Sequence, residues 1–237
     1  MSDRTPELAA RIEAVARGDR ATWAPPPIRS AATVAIIRAG TDGVQVYLMK
    51  RVRTMVFAPT MHVFPGGAVE PEDGPAETGE GFRAAAVREV QEETGLMLPD
   101  PAALVPFARW VTPEVEVRRY DTAFFAVEAP PGAGPELTGT EASHSGWLTP
   151  EAALAENAAG RMSMLPPTIA TLHQLSGYPD PAALLAGVAL LPRPVLMPVP
   201  VLVDDQVTWT LQDLAAGRTL TDPAEAGLPP SWSMGLG

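Results

Sequence analysis

Residues 88–96, Arg88-Glu89-Val90-Gln91-Glu92-Glu93-Thr94-Gly95-Leu96, decide how the chain is read. At about 100° per residue, Glu89, Glu92 and Glu93 share an arc of roughly 100° on one helix. Like charges at i,i+4 destabilise a helix by roughly 0.2–0.5 kcal/mol. On its own such a run is most simply a solvated acidic face. A divalent cation among the carboxylates is the alternative, and all-oxygen donors select Mg²⁺ or Mn²⁺ over zinc. Val87 and Val90 lie on an adjoining flank suited to burial, and Gly95 is placed to cap the helix.

Upstream, Phe64-Pro65-Gly66-Gly67-Ala68-Val69-Glu70 puts two glycines where the backbone can turn tightly and approach a metal or phosphate. That context favours the cation over the solvated face.

Composition narrows the partners. The 237 residues carry 17 basic and 28 acidic side chains, a formal net charge of −11. Such a chain has no broad basic face for a nucleic-acid backbone. An anionic substrate needs a bridging cation or a local arginine pocket. Cysteine is absent, which excludes disulfides, thiol nucleophiles and thiolate metal sites. No apolar run has the length of a membrane span, and the N-terminus lacks a signal peptide's apolar core, so no membrane partner and a cytoplasmic location are expected. The 27 prolines and 20 glycines predict many loops.

Along the chain, residues 6–17 read as a helix, and 31–39 and 43–51 as a β-hairpin with Gly and Asp of its turn at positive φ. Residues 54–81 read as a long irregular loop. A helix from about 82 to 94 follows, then strands near 103–111 and 118–127, a loop over 129–141, a strand at 144–149 and a helix at 150–159. Two short helices follow Met164, and 192–203 reads as a Pro-interrupted strand suited to a sheet edge. The last twenty residues are expected to be poorly ordered. The fold class expected is α/β, a sandwich with a mixed sheet rather than a doubly wound parallel one. Residues 1–29 form an N-terminal helix and linker, 30–163 the central domain, and 164–237 a helical and Pro-rich extension packed on it. The terminal segments are suited to covering sheet edges of their own subunit or of a second copy in a homodimer.

Taken together, the glycine turn and residues 88–96 resemble the Nudix hydrolase family. Its signature runs G, five residues, E, seven residues, then R-E-apolar-x-E-E-x-G-apolar, and residues 88–96 match the second half at every specified position. Literal spacing for the first half gives Gly74 and Glu80. Gly67 is the favoured structural equivalent of the glycine, with an insertion around Glu72–Gly79, which leaves Asp73 where the family has Glu. The resemblance covers residues 30–160. It implies an α/β/α sandwich and hydrolysis of the diphosphate in a nucleoside diphosphate derivative, with Mg²⁺ or Mn²⁺ as cofactor.

By match to that motif, Glu89, Glu92 and Glu93 are the expected metal ligands, with the Gly67 carbonyl as a further donor. Arg88 orients the carboxylates, and Gly95 ends the helix. Glu89 and Glu141 are the two candidates for the carboxylate that takes the water's proton. His144 and His62 are weaker candidates. Lys50, Arg51, Arg53, Arg118 and Arg119 are the nearby cations; of these Arg51, Arg53 and Arg119, with Gly66 and Gly67, form the expected substrate contacts. The insertion, residues 109–125 and the helical tail resemble the branch that includes peroxisomal-type coenzyme A diphosphatases. ADP-ribose, NADH and dinucleoside polyphosphates are the other substrates considered, and a ligand sensor that has lost catalysis is the rival class.

Overall fold

The computed structural model describes residues 6–19, 23–51, 60–98, 100–132 and 142–234. Among these residues ten strands form one mixed sheet in the order β10-β9-β8-β5-β6-β1-β2-β3, with β4 on β1 and β7 on β2. They are β1 (Ile28–Gly40), β2 (Gly43–Arg51), β3 (His62–Val63), β4 (Gly66–Ala68), β5 (Val105–Val111), β6 (Arg119–Glu128), β7 (Ala142–Leu148), β8 (Val195–Val203), β9 (Gln206–Asp213) and β10 (Arg218–Thr219). Among the described residues five α-helices accompany them: α1 (Pro6–Ala16), α2 (Glu80–Thr94), α3 (Pro150–Ala158), α4 (Pro166–Gln174) and α5 (Pro181–Ala189). None is long and apolar enough to cross a membrane.

β1 shows why the sheet is sandwiched. Val34 and Ile36 enter one buried cluster with Phe82, Ala85, Ala86 and Val90 of α2. Their neighbours Ala35 and Ile37 enter another with Leu172 of α4 and Leu184 of α5. Period-two alternation thus buries both faces, and the strand reads as a continuous apolar run. β1 and β6 pair in parallel while β1 and β2 form the expected antiparallel hairpin. At that hairpin only Gly43 takes a positive φ (115°); Asp42 does not.

The segment 60–81 is less irregular than expected. It contains β3, β4 and two 3₁₀ turns, Pro71–Asp73 and Ala76–Thr78, before α2 begins at Glu80. β4 pairs with the start of β1, Gly66 opposite Thr33 and Gly67 opposite Ala32, which fixes the glycine turn on the sheet.

Two further expectations change. β8 is not a sheet edge along its whole length, because it pairs with β5 at Val195 and Leu196 and with β9 throughout. Its prolines, Pro198 and Pro200, fall beyond the β5 contact, where only β9 is paired. A missing N–H is tolerated on that unpaired side. The C-terminal residues up to 234 are ordered against the core: Ala226 and Leu228 are buried and Trp232 packs 6.3 Å from Trp110.

Candidate active site

Helix α2 carries its apolar stripe, Phe82, Ala85, Ala86 and Val90, toward β1. That packing sets the rotation of the helix, and the glutamates fall along its flank. Gly95 at φ 70° closes the helix, its N–H donating to the Gln91 carbonyl.

Two of the three glutamates meet the glycine turn. Glu93 is buried and its Oε2 accepts the Gly66 N–H at 2.8 Å. Glu89 lies against Gly67 so closely that a Cβ there would stand 2.1 Å from Oε1. Glu92 instead points outward, with 59% of its side chain exposed. The expected trio is therefore two carboxylates at the turn and one beside it. Among the described residues no three acidic or imidazole side chains already form a cage.

Arg88 organises this flank. Its Nη1 contacts Glu89 Oε1 at 2.9 Å and Glu92 Oε2 at 3.2 Å. Its Nε and Nη2 grip Asp73 at 3.1 and 2.8 Å, and Nη2 also donates to the Ala68 carbonyl. Asp73 also accepts the Glu70 N–H at 2.8 Å. The Arg88 hydrogen bond is the chief reason the Asp73 carboxyl sits below the usual range, and the same contact raises the guanidinium. One cation thus ties the helix, β4 and the first 3₁₀ turn together. The acidic residue that Arg88 grips is Asp73, while Glu80, given by literal spacing, is exposed at the start of α2.

A hard divalent cation suits this donor set. Mg²⁺ usually takes one or two carboxylates and completes its shell with water and phosphate. Glu89 and Glu93 supply two at one turn, and the absence of a side chain at Gly67 leaves Glu89 its place.

The other expected residues are scattered. Arg51 ends β2, and its buried Nε has no hydrogen-bond partner among the described residues. Arg119, expected at the substrate, is instead buried and spends its guanidinium on the Thr112 carbonyl and the Met197 sulfur. His62 is buried at β3, where its main-chain N–H donates to the Ser163 carbonyl. His144 pairs opposite Lys50 through its backbone. Arg53 and Glu141 lie outside the described residues. A groove of about 480 Å³ lies apart from α2, between β9 and the C-terminal segment, lined by Trp209, Leu211 and Trp232 among others.

The sequence reading missed the Gly66–Glu93 hydrogen bond and the Arg88–Ala68 contact, since main-chain partners leave no side-chain signature.

Comparison with known proteins gives a matching family model. The NUDIX domain model matches residues 27–166. "Putative nudix hydrolase 7" of Caenorhabditis elegans is 28% identical over 186 residues, 64% of this chain and 62% of that protein. The aligned part thus spans less than two thirds of the nematode protein. The crystal structure of a NUDIX hydrolase from Alicyclobacillus acidocaldarius is similar with a TM-score of 0.62 at 25% identity, covering 69% of this chain and 97% of that one.

Proposed function

The chain belongs to the NUDIX domain family, and on that premise we propose that it is a hydrolase, dependent on Mg²⁺ or Mn²⁺, that cleaves the diphosphate of a nucleoside diphosphate derivative. The observation that carries this reading is the convergence of Glu89 and Glu93 on the Gly66–Gly67 turn. Glu89 and Glu93 would hold the cation, with the exposed Glu92 on the same flank available to it. A bound cation neutralises phosphoryl oxygens and acidifies water.

The chain's own residues supply the rest. Arg88 holds Glu89 and Glu92 in place while spending its other face on Asp73. Glu89 is the candidate to accept the attacking water's proton; Glu141 is the other. As the water oxygen bonds to phosphorus, the bridging P–O bond breaks and the leaving phosphate takes its electron pair. Arg51, whose Nε has no partner among the described residues, is a cation suited to the substrate's charge. We assign this chemistry to residues 30–163, with 1–29 and 164–237 as extensions of the same body.

For the substrate we favour coenzyme A or an acyl-CoA. The support is the resemblance carried by the insertion at residues 72–79, by residues 109–125, which run from the end of β5 through its following loop into most of β6, and by the helical tail at α4. Hydrolysis would give adenosine 3′,5′-bisphosphate and a 4′-phosphopantetheine. The test is a panel of CoA, acetyl-CoA, ADP-ribose, NADH and diadenosine polyphosphates with Mg²⁺ and with Mn²⁺, scored by product identity. Preferential CoA cleavage is expected. CoA turnover no better than the others removes the substrate assignment, and no metal-dependent turnover of any member removes the hydrolase reading.

A further inference from the structure

Thr33 lies on β1 directly opposite Gly66 of β4. Two carbonyl oxygens face its hydroxyl, that of Pro65 at 2.8 Å and that of Phe64 at 3.4 Å. A carbonyl can only accept, so the hydroxyl donates, and its single hydrogen serves the nearer oxygen. The next N–H along β1, that of Val34, also donates to the Pro65 carbonyl, at 2.9 Å. Both lone pairs of that carbonyl are thereby taken.

The other end of the same peptide unit is the Gly66 N–H, which donates to Glu93 Oε2 at 2.8 Å. One planar group thus carries two donors from β1 on its oxygen and a carboxylate on its nitrogen. Planarity couples the two ends, because fixing the direction of the carbonyl fixes where the N–H points. Hydrogen bonds in a chain also polarise one another, so donors on the oxygen make the N–H a stronger donor. Val34 gives its bond through the main chain, which any residue except proline could supply. Thr33 gives its bond through a side chain, and few residue types could replace it.

Gly66 makes the room for that side chain. A Cβ at Gly66 would stand 2.9 Å from the Thr33 Cβ and 2.6 Å from its Cα. The glycine therefore lacks a side chain where the threonine needs space, and the two positions fit as a pair.

We infer that Thr33 is a positioning residue for Glu93, acting through the Pro65–Gly66 peptide: its hydroxyl holds the carbonyl of the unit whose N–H seats the carboxylate. The sheet, through this one peptide, presets a carboxylate that belongs to the helix. Outer partners of this kind govern how well a ligand carboxylate is oriented for its cation. The inference rests on the reading of Glu93 as a metal ligand.

The test compares the full-length wild type with Thr33→Val, which keeps the branched shape without the hydroxyl, and Thr33→Ser, which keeps the hydroxyl. In the metal-free protein the Gly66 amide proton resonance reports the strength of its bond to Glu93. It is expected to move upfield in Thr33→Val and to stay at the wild-type position in Thr33→Ser. Mn²⁺ titration, followed by the electron paramagnetic resonance of the free ion, is expected to show about 10-fold weaker binding in Thr33→Val and wild-type binding in Thr33→Ser. Either reading left unchanged in folded Thr33→Val overturns the inference. Equal weakening in both variants also overturns it, since the effect would then belong to packing. Should Thr33→Val not fold, Thr33→Ala removes the same hydroxyl with a smaller side chain; both changes are expected there, and their absence overturns the inference. Wild type that binds no Mn²⁺ removes the metal reading of Glu93, while the Gly66 resonance still reports whether the hydroxyl holds the turn, so the two failures are distinguishable.

Discussion

Gly67 and Glu89 are in such close contact that a Cβ on Gly67 would stand 2.1 Å from Glu89 Oε1 and 2.4 Å from Cδ. The obstructing atoms are the far end of a flexible side chain. Gly67→Ala is therefore expected to fold, with the Glu89 carboxylate pushed aside. A displacement of that order at a reacting group costs on the order of 100-fold in rate. Turnover and thermal melts on the same preparation check this; a wild-type rate would show that Glu89 acts from elsewhere.

Gly66 behaves differently. Its φ is 154°, and a Cβ would meet the Ala32 carbonyl oxygen at 2.3 Å and the Thr33 Cα at 2.6 Å. Backbone cannot step aside as Glu89 can. Gly66→Ala should lose about 3 kcal/mol of stability, from strained φ and overpacking together. Chemical denaturation of the two alanine variants should separate them cleanly.

The Asp73–Arg88 pair makes a prediction in pH. The Asp73 carboxyl lies below its ordinary range, chiefly through the Arg88 hydrogen bond. A carboxyl with a lowered folded pKa adds stability that is complete above its unfolded value, about 3.9, and is lost as pH falls through the folded one. Asp73→Asn should thus lower the melting temperature at pH 7 and leave it near wild type at the acid end. An equal loss at both ends would mean the pair contributes through packing alone.

Glu92 and Glu93 should differ in stability when neutralised, though both should lose metal-dependent activity. Glu92 is exposed and its contact with Arg88 is worth about 0.5 kcal/mol or less. Glu93 is buried on a main-chain donor, and weakening that bond costs about 1 kcal/mol. Repulsion alone suggests that either Gln variant is neutral or slightly stabilising. Arg88 changes that expectation, since it already offsets the charge of Glu89 and Glu92. Urea melts of Glu92→Gln and Glu93→Gln measure the difference.

The legible parts of the fold were those with local causes. Alternation marked β1 and β2, and Gly95 marked the end of α2. The glycine turn and the acidic flank came together because the motif that joins them is local on each side. What escaped depended on distant partners. Arg119 reads as a substrate contact, but burial beside Thr112 and Met197 turns it inward. The Pro-rich end reads as loose chain, but Trp232 finds Trp110 across the core. Pro198 and Pro200 read as an edge, yet a strand can be internal at one end and open at the other.

The most direct measurement is anomalous scattering from a crystal grown with Mn²⁺ and a non-hydrolysable diphosphate analogue. The account predicts a peak bounded by the Glu89 and Glu93 carboxylates and the Gly66–Gly67 turn, with the analogue's phosphates completing the shell. Mn²⁺ bound elsewhere, with both carboxylates still seated as they are on the turn and on Arg88, would contradict it.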